Sequence, residues 1–292
     1  MNATHSSTVE WQGVLLVAVG SFCFSMAIPL TRWTDGLGTP TIAFFRALFG
    51  FLFLCTLVIR FREPVQFAAY RSRMGRLLVL GAFVSMTVSL YTYAIQHTTA
   101  ANAALLVNSA PIYVAALAPL ALHEARARYT WASLGLAVMG MIFVSNPAEL
   151  RLDWESLGGI AAAALSGFTY AFVMLIGRSL RGAVTGLTQT LWSNGLTALV
   201  LLPWALRGVP MQTVAENVPL LIPLGVFSLG LSYLLYFLGL QRIPAQVVSV
   251  VALLEPVSGA LFGLVLFDEI PNALGMIGGG LILASIYLIS RP

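Results

Sequence analysis

Two stretches of this chain, NSAPIYVAALAPLALHE at residues 108–124 and LLEPVSGALFGLVLFDE at residues 253–269, decide its fold. They align with each other at an offset of 145 residues. The pairs that match at this offset include Tyr91 and Tyr236, Gln96 and Gln241, Ala100 and Ala245, Pro111 and Pro256, Glu124 and Glu269, and Gly135 and Gly280. Apolar sequences share Leu and Ala by chance, whereas Pro, Glu, Gln and Tyr shared at one offset indicate a duplication. Duplicated halves are typical of secondary membrane transporters, which bind their substrate between the repeats.

Composition indicates a membrane protein. Hydrophobic residues make up 59% of the chain and charged residues only 9%, whereas soluble proteins carry about 25% charged residues. All 15 basic residues are arginines, and they cluster in short loops between apolar runs. The net charge of +4 is therefore explained by membrane topology, and we expect no nucleic acid partner. Cys23 and Cys55 lie inside apolar runs, which favours a packing role over a disulfide or a metal site.

Ten apolar segments are long enough to cross a bilayer, which takes about 20 residues. They predict helices α1 to α10 at residues 11–32, 39–60, 76–96, 99–121, 128–146, 156–180, 184–206, 216–240, 244–267 and 271–290. Membrane strands would alternate in polarity, whereas these segments are apolar on nearly all faces. The predicted fold is an all-α polytopic membrane protein with one five-helix repeat in each of residues 11–147 and 154–290.

Arginines in the loops predict the orientation, because loops rich in Lys and Arg stay in the cytoplasm. If the N-terminus is cytoplasmic, eleven arginines fall in cytoplasmic gaps and only Arg32, Arg151 and Arg207 in outer gaps, with Arg46 inside a span. Both termini are therefore predicted to be cytoplasmic. Because each half has an odd number of helices, the second half enters the membrane upside down, and the two repeats are inverted.

Three groups of residues form a pattern that is known from one group of transporters. They are Pro40, Phe45 and Arg46 in α2, Asn108, Pro111 and Glu124 at α4, and Glu255, Pro256, Asp268 and Glu269 at α9. The pattern resembles the ten-helix branch of the drug/metabolite transporter superfamily, which has two EamA domains. Within it, the chain is most similar to bacterial exporters of amino acids, including aromatic ones, which implies a multi-pass protein of the bacterial inner membrane. The four-helix multidrug relatives use a glutamate of their first helix for proton coupling, and α1 holds no acid.

Two charged residues lie well inside the predicted spans, Glu255 in α9 and Arg46 in α2. A charge at mid-membrane costs about 2.5–3.5 kcal/mol on insertion scales, so each needs a partner or a function. Glu255 either binds a proton or a substrate group, or has a packing role beside Pro256. Arg46 either grips a substrate carboxylate, or pairs with Glu255 or caps carbonyls freed by a proline. The family resemblance favours the structural interpretation of both residues.

Polar residues at helical spacing form stripes on otherwise apolar helices. The candidates are Ser85, Ser89 and Thr92 in α3, Asn102 and Asn108 in α4, Ser228, Ser232 and Tyr236 in α8, and Gln246 and Ser249 in α9. Such stripes line a water-filled pathway or form hydrogen bonds between helices. Because α3 and α8, like α4 and α9, are repeat counterparts, we predict a central cavity between these four helices. Trp192 in α7, away from both membrane interfaces, is predicted to line the path.

Proline and glycine positions add two further expectations. Pro111 and Pro256 each remove a backbone hydrogen bond and predict breaks in α4 and α9, as hinges or as static kinks. Gly275 and Gly279 in α10 permit close helix packing, within the monomer or in a homodimer. The sequence has no phosphate loop, nucleophile elbow or Cys/His cluster, so we expect no cofactor, no metal and no enzymatic activity.

The sequence thus predicts a secondary transporter that exports small amphipathic metabolites by alternating access, with hydrophobic or aromatic amino acids as substrates. Its partners are membrane lipid and the small-molecule substrate. We expect a lining of aromatic and hydroxyl groups with few charges, which disfavours polyanions and sugar phosphates. The alternatives are a passive channel or facilitator, and broad drug or metabolite efflux on the same scaffold.

Overall fold

The computed structural model describes residues 10–61, 71–124, 129–145, 153–267 and 272–291, and every regular element in these ranges is helical. The helices are α1 (Trp11–Phe24 and Ala27–Trp33), α2 (Thr39–Phe61), α3 (Met74–His97, after a 3-10 turn at Arg71–Arg73), α4 (Ala100–Val107 and Ala110–Leu122), α5 (Thr130–Val144), α6 (Leu157–Ser179), α7 (Gly186–Ala205), α8 (Met211–Gly225, a π-helical turn Val226–Leu231, and Ser232–Arg242), α9 (Ala245–Val251 and Leu254–Phe267) and α10 (Ala273–Ile289). The prediction of an all-α protein with ten membrane helices is confirmed.

Seven of the described helices, α1 to α4, α6, α8 and α9, are long and apolar enough to cross a membrane. The apolar helices α5 and α10 are shorter, with 15 and 17 residues. Helix α7 has 20 residues, and it buries the polar side chains of Gln189, Ser193 and Asn194 against its neighbours. Lipid offers no hydrogen bonds to such groups, so their burial inside the protein is what a membrane helix requires.

The packing of the helices follows a two-fold pattern. Helix α3 packs against α6, and α1 packs against α8, while α2 packs against α7 and α5 against α10. If α1 to α5 are exchanged with α6 to α10, the first two pairs change places and the last two map onto themselves. This is the arrangement of two inverted five-helix repeats.

Helices α4 and α9 are both interrupted near their middle. Asn108 and Ser109 interrupt α4, and Pro111 is the second residue of the segment that follows. Ala252 and Leu253 interrupt α9, and Pro256 is the third residue of the next segment. Proline fits the first turn of a helix, because the amide that it lacks has no intrahelical partner there. In both helices a short segment therefore ends and a new helix begins around the proline.

Glycine allows a close backbone approach at the contact of α5 with α10. A Cβ at Gly278 would lie 2.5 Å from the carbonyl oxygen of Gly140, and a Cβ at Gly140 would lie 2.7 Å from that of Gly278. Gly279 of the predicted pair does not make this contact, since the nearest atom to a Cβ at Gly279 is 3.9 Å away. The glycine that faces α5 is Gly278, and a homodimer through α10 stays a prediction.

Some sequence predictions lie beyond these helices. Residue 147, where the first predicted repeat ends, falls outside the described residues, as do Arg151, Asp268 and Glu269. The repeat boundaries at residues 147 and 154 stay predictions.

Candidate functional site

A cavity of about 920 Å³ opens at the end of the molecule where α1, α3 and α5 finish and α4 and α6 begin. We call this end the open end and the opposite one the closed end. Exposed Arg32 and Trp33 of α1 lie at the mouth, together with Asp153 and Glu155 just before α6. The guanidinium Nη2 of Arg32 donates to the carbonyl oxygen of Thr98 at 3.2 Å. The mouth therefore carries both a cation and two carboxylates.

The helices that line this cavity differ in part from the four helices that the polar stripes predicted. Helix α4, α9 and the end of α3 contribute as expected, whereas α8 lends it no residue. Residues at the ends of α1 and α5 and just before α6 take its place. The expectation of few charges was also wrong, since Arg32, Asp153, Glu155 and Glu255 all lie in the lining. Loop residues that served only as markers of topology in the sequence thus form part of the site.

Glu255 forms the inner limit of the cavity. Its side chain is 5% exposed, and its Oε1 accepts a hydrogen bond from the Tyr91 hydroxyl at 2.9 Å. The side chain of Asn108 also faces the carboxyl group, and its Nδ2 donates to the carbonyl oxygen of Ala104 at 2.8 Å. Glu255 is also the second residue of the segment that follows the break in α9. The positive end of that segment's helix dipole therefore lies beside the carboxyl group.

Aromatic rings fill the space between Glu255 and the closed end. Phe24 stacks at 5.9 Å from Tyr91 and at 6.1 Å from Tyr170, measured between ring centres. Tyr170 lies 5.7 Å from Tyr236 in the same way. Among these rings remains a second cavity of about 10 Å³, which is about the space of one water molecule. Phe24, Tyr170 and Tyr236 therefore surround this small cavity.

Arg46 is fully buried beside this aromatic cluster. Its Nη2 donates to the carbonyl oxygen of Ser228 at 3.1 Å, and its guanidinium carbon lies 5.5 Å from the centre of the Phe24 ring. Ser228 belongs to the π-helical turn of α8, where the regular helical hydrogen bonds are interrupted. The structure thus shows Arg46 bonded to a backbone carbonyl. The carbonyl belongs to a π-helical turn and not to a proline break.

An ion pair holds the closed end together. Nε of Arg178, near the end of α6, donates to Oε1 of Glu124 at 2.6 Å, and its Nη1 donates to the carbonyl oxygen of Leu240 in α8 at 2.6 Å. Oε2 of Glu124 accepts from the amide of Ala245, the first residue of α9, at 3.1 Å. The Arg178 and Glu124 side chains are only 8% and 17% exposed. One ion pair thus connects α6, α8, α9 and the end of α4.

Hydroxyl groups of the predicted stripes mostly bind nearby carbonyls. Ser85 bonds the carbonyl of Gly81 and the Thr197 hydroxyl of α7, and Ser228 bonds the carbonyl of Leu224. Ser249 bonds the carbonyl of Gln246 in its own helix. These polar side chains therefore form hydrogen bonds within and between helices, which was the alternative to a water-filled pathway. None of these residues lines either of the two cavities described here.

The remaining predicted residues divide between cavity and core. Ser232 and Tyr236 of α8 line the small cavity, and Pro256 lines the large one. The other predicted residues line neither cavity. Ser89 is half-buried and Thr92 is buried, while Asn102 is bonded to Thr98 and Gln246 to Thr130. Asn108 and Pro111 lie at the break of α4, and Trp192 packs on the apolar core. The role of Trp192 in the path stays a prediction that its position does not support.

A family model matches both halves of the chain. The model of the EamA-like transporter family covers residues 11–146 and again residues 157–291. The chain belongs to the EamA-like transporter family. It is therefore a membrane transporter and not an enzyme, and the predicted superfamily is confirmed.

Relatives and a solved structure agree with this assignment. An uncharacterized transporter of Archaeoglobus fulgidus is 30% identical over 261 residues, or 88% of each chain. The pseudopaline exporter CntI of Pseudomonas aeruginosa is 26% identical over 282 residues, or 96% of each chain. A crystal structure with 15% identity superposes with a TM-score of 0.78 over 96% of both chains, which shows that the fold is shared. The two relatives are named as transporters, and neither is named as an amino acid exporter.

Several site residues had no role in the sequence-based hypothesis. Arg32 counted only as an outer-loop charge in the topology, and Arg178, Asp153 and Glu155 were not singled out from the sequence. The repeat could have pointed to these two ends of the molecule. Ala245, whose amide bonds Glu124 at the closed end, corresponds at the 145-residue offset to Ala100, which lines the large cavity at the open end. Equivalent residues of the two repeats thus lie in a closed contact at one end and in an open cavity at the other.

Proposed function

We propose that this protein exports small zwitterionic metabolites with an apolar body, amino acids and molecules built from them among these, by alternating access. The observation that carries the proposal is the large cavity, which presents a cation and carboxylates within one volume of about 920 Å³. That volume lies within the range of about 300–1,000 Å³ that is typical of small-molecule sites. Its apolar lining residues, such as Ile28 and Phe262, suit an apolar body.

The difference between the two ends supports alternating access over a passive channel. A channel needs a path that is open at both ends at once. Here Arg178 and Glu124 join the helices of the closed end, and the rings around Glu255 fill the centre, while the equivalent open end holds a wide cavity. In an inverted repeat, exchange of the two halves' conformations would convert this state into one that opens at the other end.

The export direction rests on the predicted orientation, in which the open end faces the outside of the cytoplasmic membrane. The name of the Pseudomonas aeruginosa relative, an exporter, agrees with this direction. We propose the bacterial inner membrane as the location.

Cysteine labelling tests the orientation. In a chain whose Cys23 and Cys55 are replaced by Ser, we expect Met211→Cys, at the exposed start of α8, to react with an impermeant maleimide in intact cells. Arg71→Cys, before α3 at the other end, should react only after lysis. The opposite pattern would turn the open cavity toward the cytoplasm and contradict the proposed export-side opening.

A counterflow assay in proteoliposomes tests the substrate class. We expect labelled L-phenylalanine to exchange, and glucose 6-phosphate, whose charge is purely anionic, to be excluded. Arg32→Gln should weaken binding of L-phenylalanine up to about fivefold, because an exposed ion pair contributes about 0.2–1 kcal/mol, and leave phenethylamine, which has no carboxylate, unchanged.

Arg207→Gln, in the loop between α7 and α8 and outside the cavity lining, is the matched control and should change neither ligand. Failure of L-phenylalanine to bind or exchange would contradict the proposal.

A further inference from the structure

Glu255 holds a position that no other lining residue shares. It is the single residue that lines both the large open cavity and the small cavity among the aromatic rings. Any group that passes from the open end toward the closed end meets its carboxyl group at the boundary between the two volumes. The position is that of a gate between an accessible site and a sealed one.

The internal repeat argues against a purely structural role for this carboxyl group. The residue that corresponds to Glu255 in the first repeat is Ala110, which precedes Pro111 as Glu255 precedes Pro256. Helix α4 forms its break and restarts around Pro111 without an acid at that place. A carboxyl group is therefore not needed to build the proline break, and its presence in α9 calls for another reason.

The groups that surround Glu255 can hold a charge there. Facing it are Arg46 from α2, Tyr91 from α3, Asn108 from α4, Tyr170 from α6, and Tyr233 and Tyr236 from α8. The other helices that pack on this half of α9 add no acid, because α5 and α10 contain no charged residue and the only one in α1 is Arg32. Among the described residues Glu255 is therefore the sole carboxylate of the cluster, and the buried guanidinium of Arg46 is the cation that faces it.

We propose that the Glu255 carboxylate binds the substrate's ammonium group and a proton in turn, and thereby couples the export of one substrate to the entry of one proton. This inference rests on the proposed function. In the open state the substrate ammonium leaves the carboxylate for the outer water. A proton from that water then forms an O–H bond with Glu255.

The return half of the cycle releases the proton. After the chain changes to the state that opens at the closed end, the O–H bond breaks and the proton enters the cytoplasm. The carboxylate is then free for the next ammonium group. Because one carboxylate cannot hold both cations, substrate and proton move in opposite directions, and the proton gradient supplies the driving force.

Equilibrium binding of labelled L-phenylalanine to the purified full chain over a pH series tests the competition. In the acidic range, we expect the Kd of the wild type to rise by about tenfold per pH unit, because one proton competes with one ammonium group. Glu255→Gln should bind more weakly and lose this dependence. Glu216→Gln removes an exposed carboxylate of α8 that lies outside both cavity linings and is the matched control, which should keep the wild-type slope.

Three outcomes separate the inference from the proposed function. Net efflux of L-phenylalanine from loaded liposomes without proton movement, followed by a pH-sensitive dye, would overturn the coupling and leave the transport proposal standing. A Glu255→Gln variant that keeps the full pH slope would overturn the role of this residue. Absence of L-phenylalanine binding in the wild type would overturn the proposed function and the inference with it.

A second variant covers the case in which Glu255→Gln does not fold. Tyr91→Phe removes only the hydroxyl that donates to Glu255 Oε1. We expect it to shift the pH midpoint of L-phenylalanine binding and to keep the slope. An unchanged midpoint would show that the titrating group is not Glu255 and would overturn the inference.

Discussion

Replacement of Arg178 by alanine is expected to shift the protein away from the state with the open cavity. The change removes the guanidinium that bonds Glu124 and the Leu240 carbonyl, both at 2.6 Å. Hydrogen bonds to charged groups contribute about 1.5–3 kcal/mol, so the balance between the two states should change by roughly 10- to 100-fold. A cysteine at Ala260, in the lining of the large cavity, reports on this balance. Its rate of labelling from the open end should fall.

The controls separate release of the ion pair from a general loss of structure. Arg181→Ala, at an exposed arginine three positions further along the chain, should leave the labelling rate of the Ala260 cysteine unchanged. Glu124→Gln keeps an oxygen that can accept from the Ala245 amide and loses the charge, so its effect should lie between those of wild type and Arg178→Ala. Equal labelling in all four proteins would show that the ion pair does not hold the closed end.

The architecture could be predicted because lipid leaves the chain few choices. Backbone groups must be satisfied inside each segment, so apolar runs of about 20 residues become helices. The number of helices and their two-fold arrangement follow from these runs and from the repeat. Interruptions were harder to predict. The break of α1 at Ser25 and Met26 and the π-helical turn of α8 lie inside continuous apolar runs, and only contacts with neighbouring helices select them.

The site was predicted less well, because the sequence does not show which neighbour a polar face meets. Ser193 and Thr197 bond carbonyls four residues earlier in α7, so their hydroxyls need neither water nor substrate. A polar stripe therefore marks a buried face but does not distinguish a pathway from a helix contact. Glu255 was identified because an isolated carboxylate in a span is costly. Arg32 and Asp153 were missed as site residues because charges at helix ends carry no such cost.

Gly278 allows a test of the fold whose expected effect is also large. Gly278→Val should destabilise the contact of α10 with α5, because its Cβ would meet the Gly140 carbonyl oxygen at 2.5 Å and the Val144 amide nitrogen at 2.7 Å. Both are backbone atoms, so the helices themselves must move apart. Overpacking of this kind typically costs about 1–3 kcal/mol. The measurement is the thermal unfolding temperature of the purified protein in detergent, which should fall.

The matched control lies two residues away on the same helix. A Cβ at Gly280 meets nothing within 4 Å, so Gly280→Val adds the same side chain without a clash and should leave the unfolding temperature close to that of the wild type. Both variants carry the same change in helix propensity, so the difference between them isolates the backbone contact. If Gly278→Val and Gly280→Val unfolded at the same temperature, the close approach of α5 and α10 would not contribute to stability. A loss of dimer on Gly279→Val, with the unfolding temperature unchanged, would instead place the predicted self-association on the neighbouring face of α10.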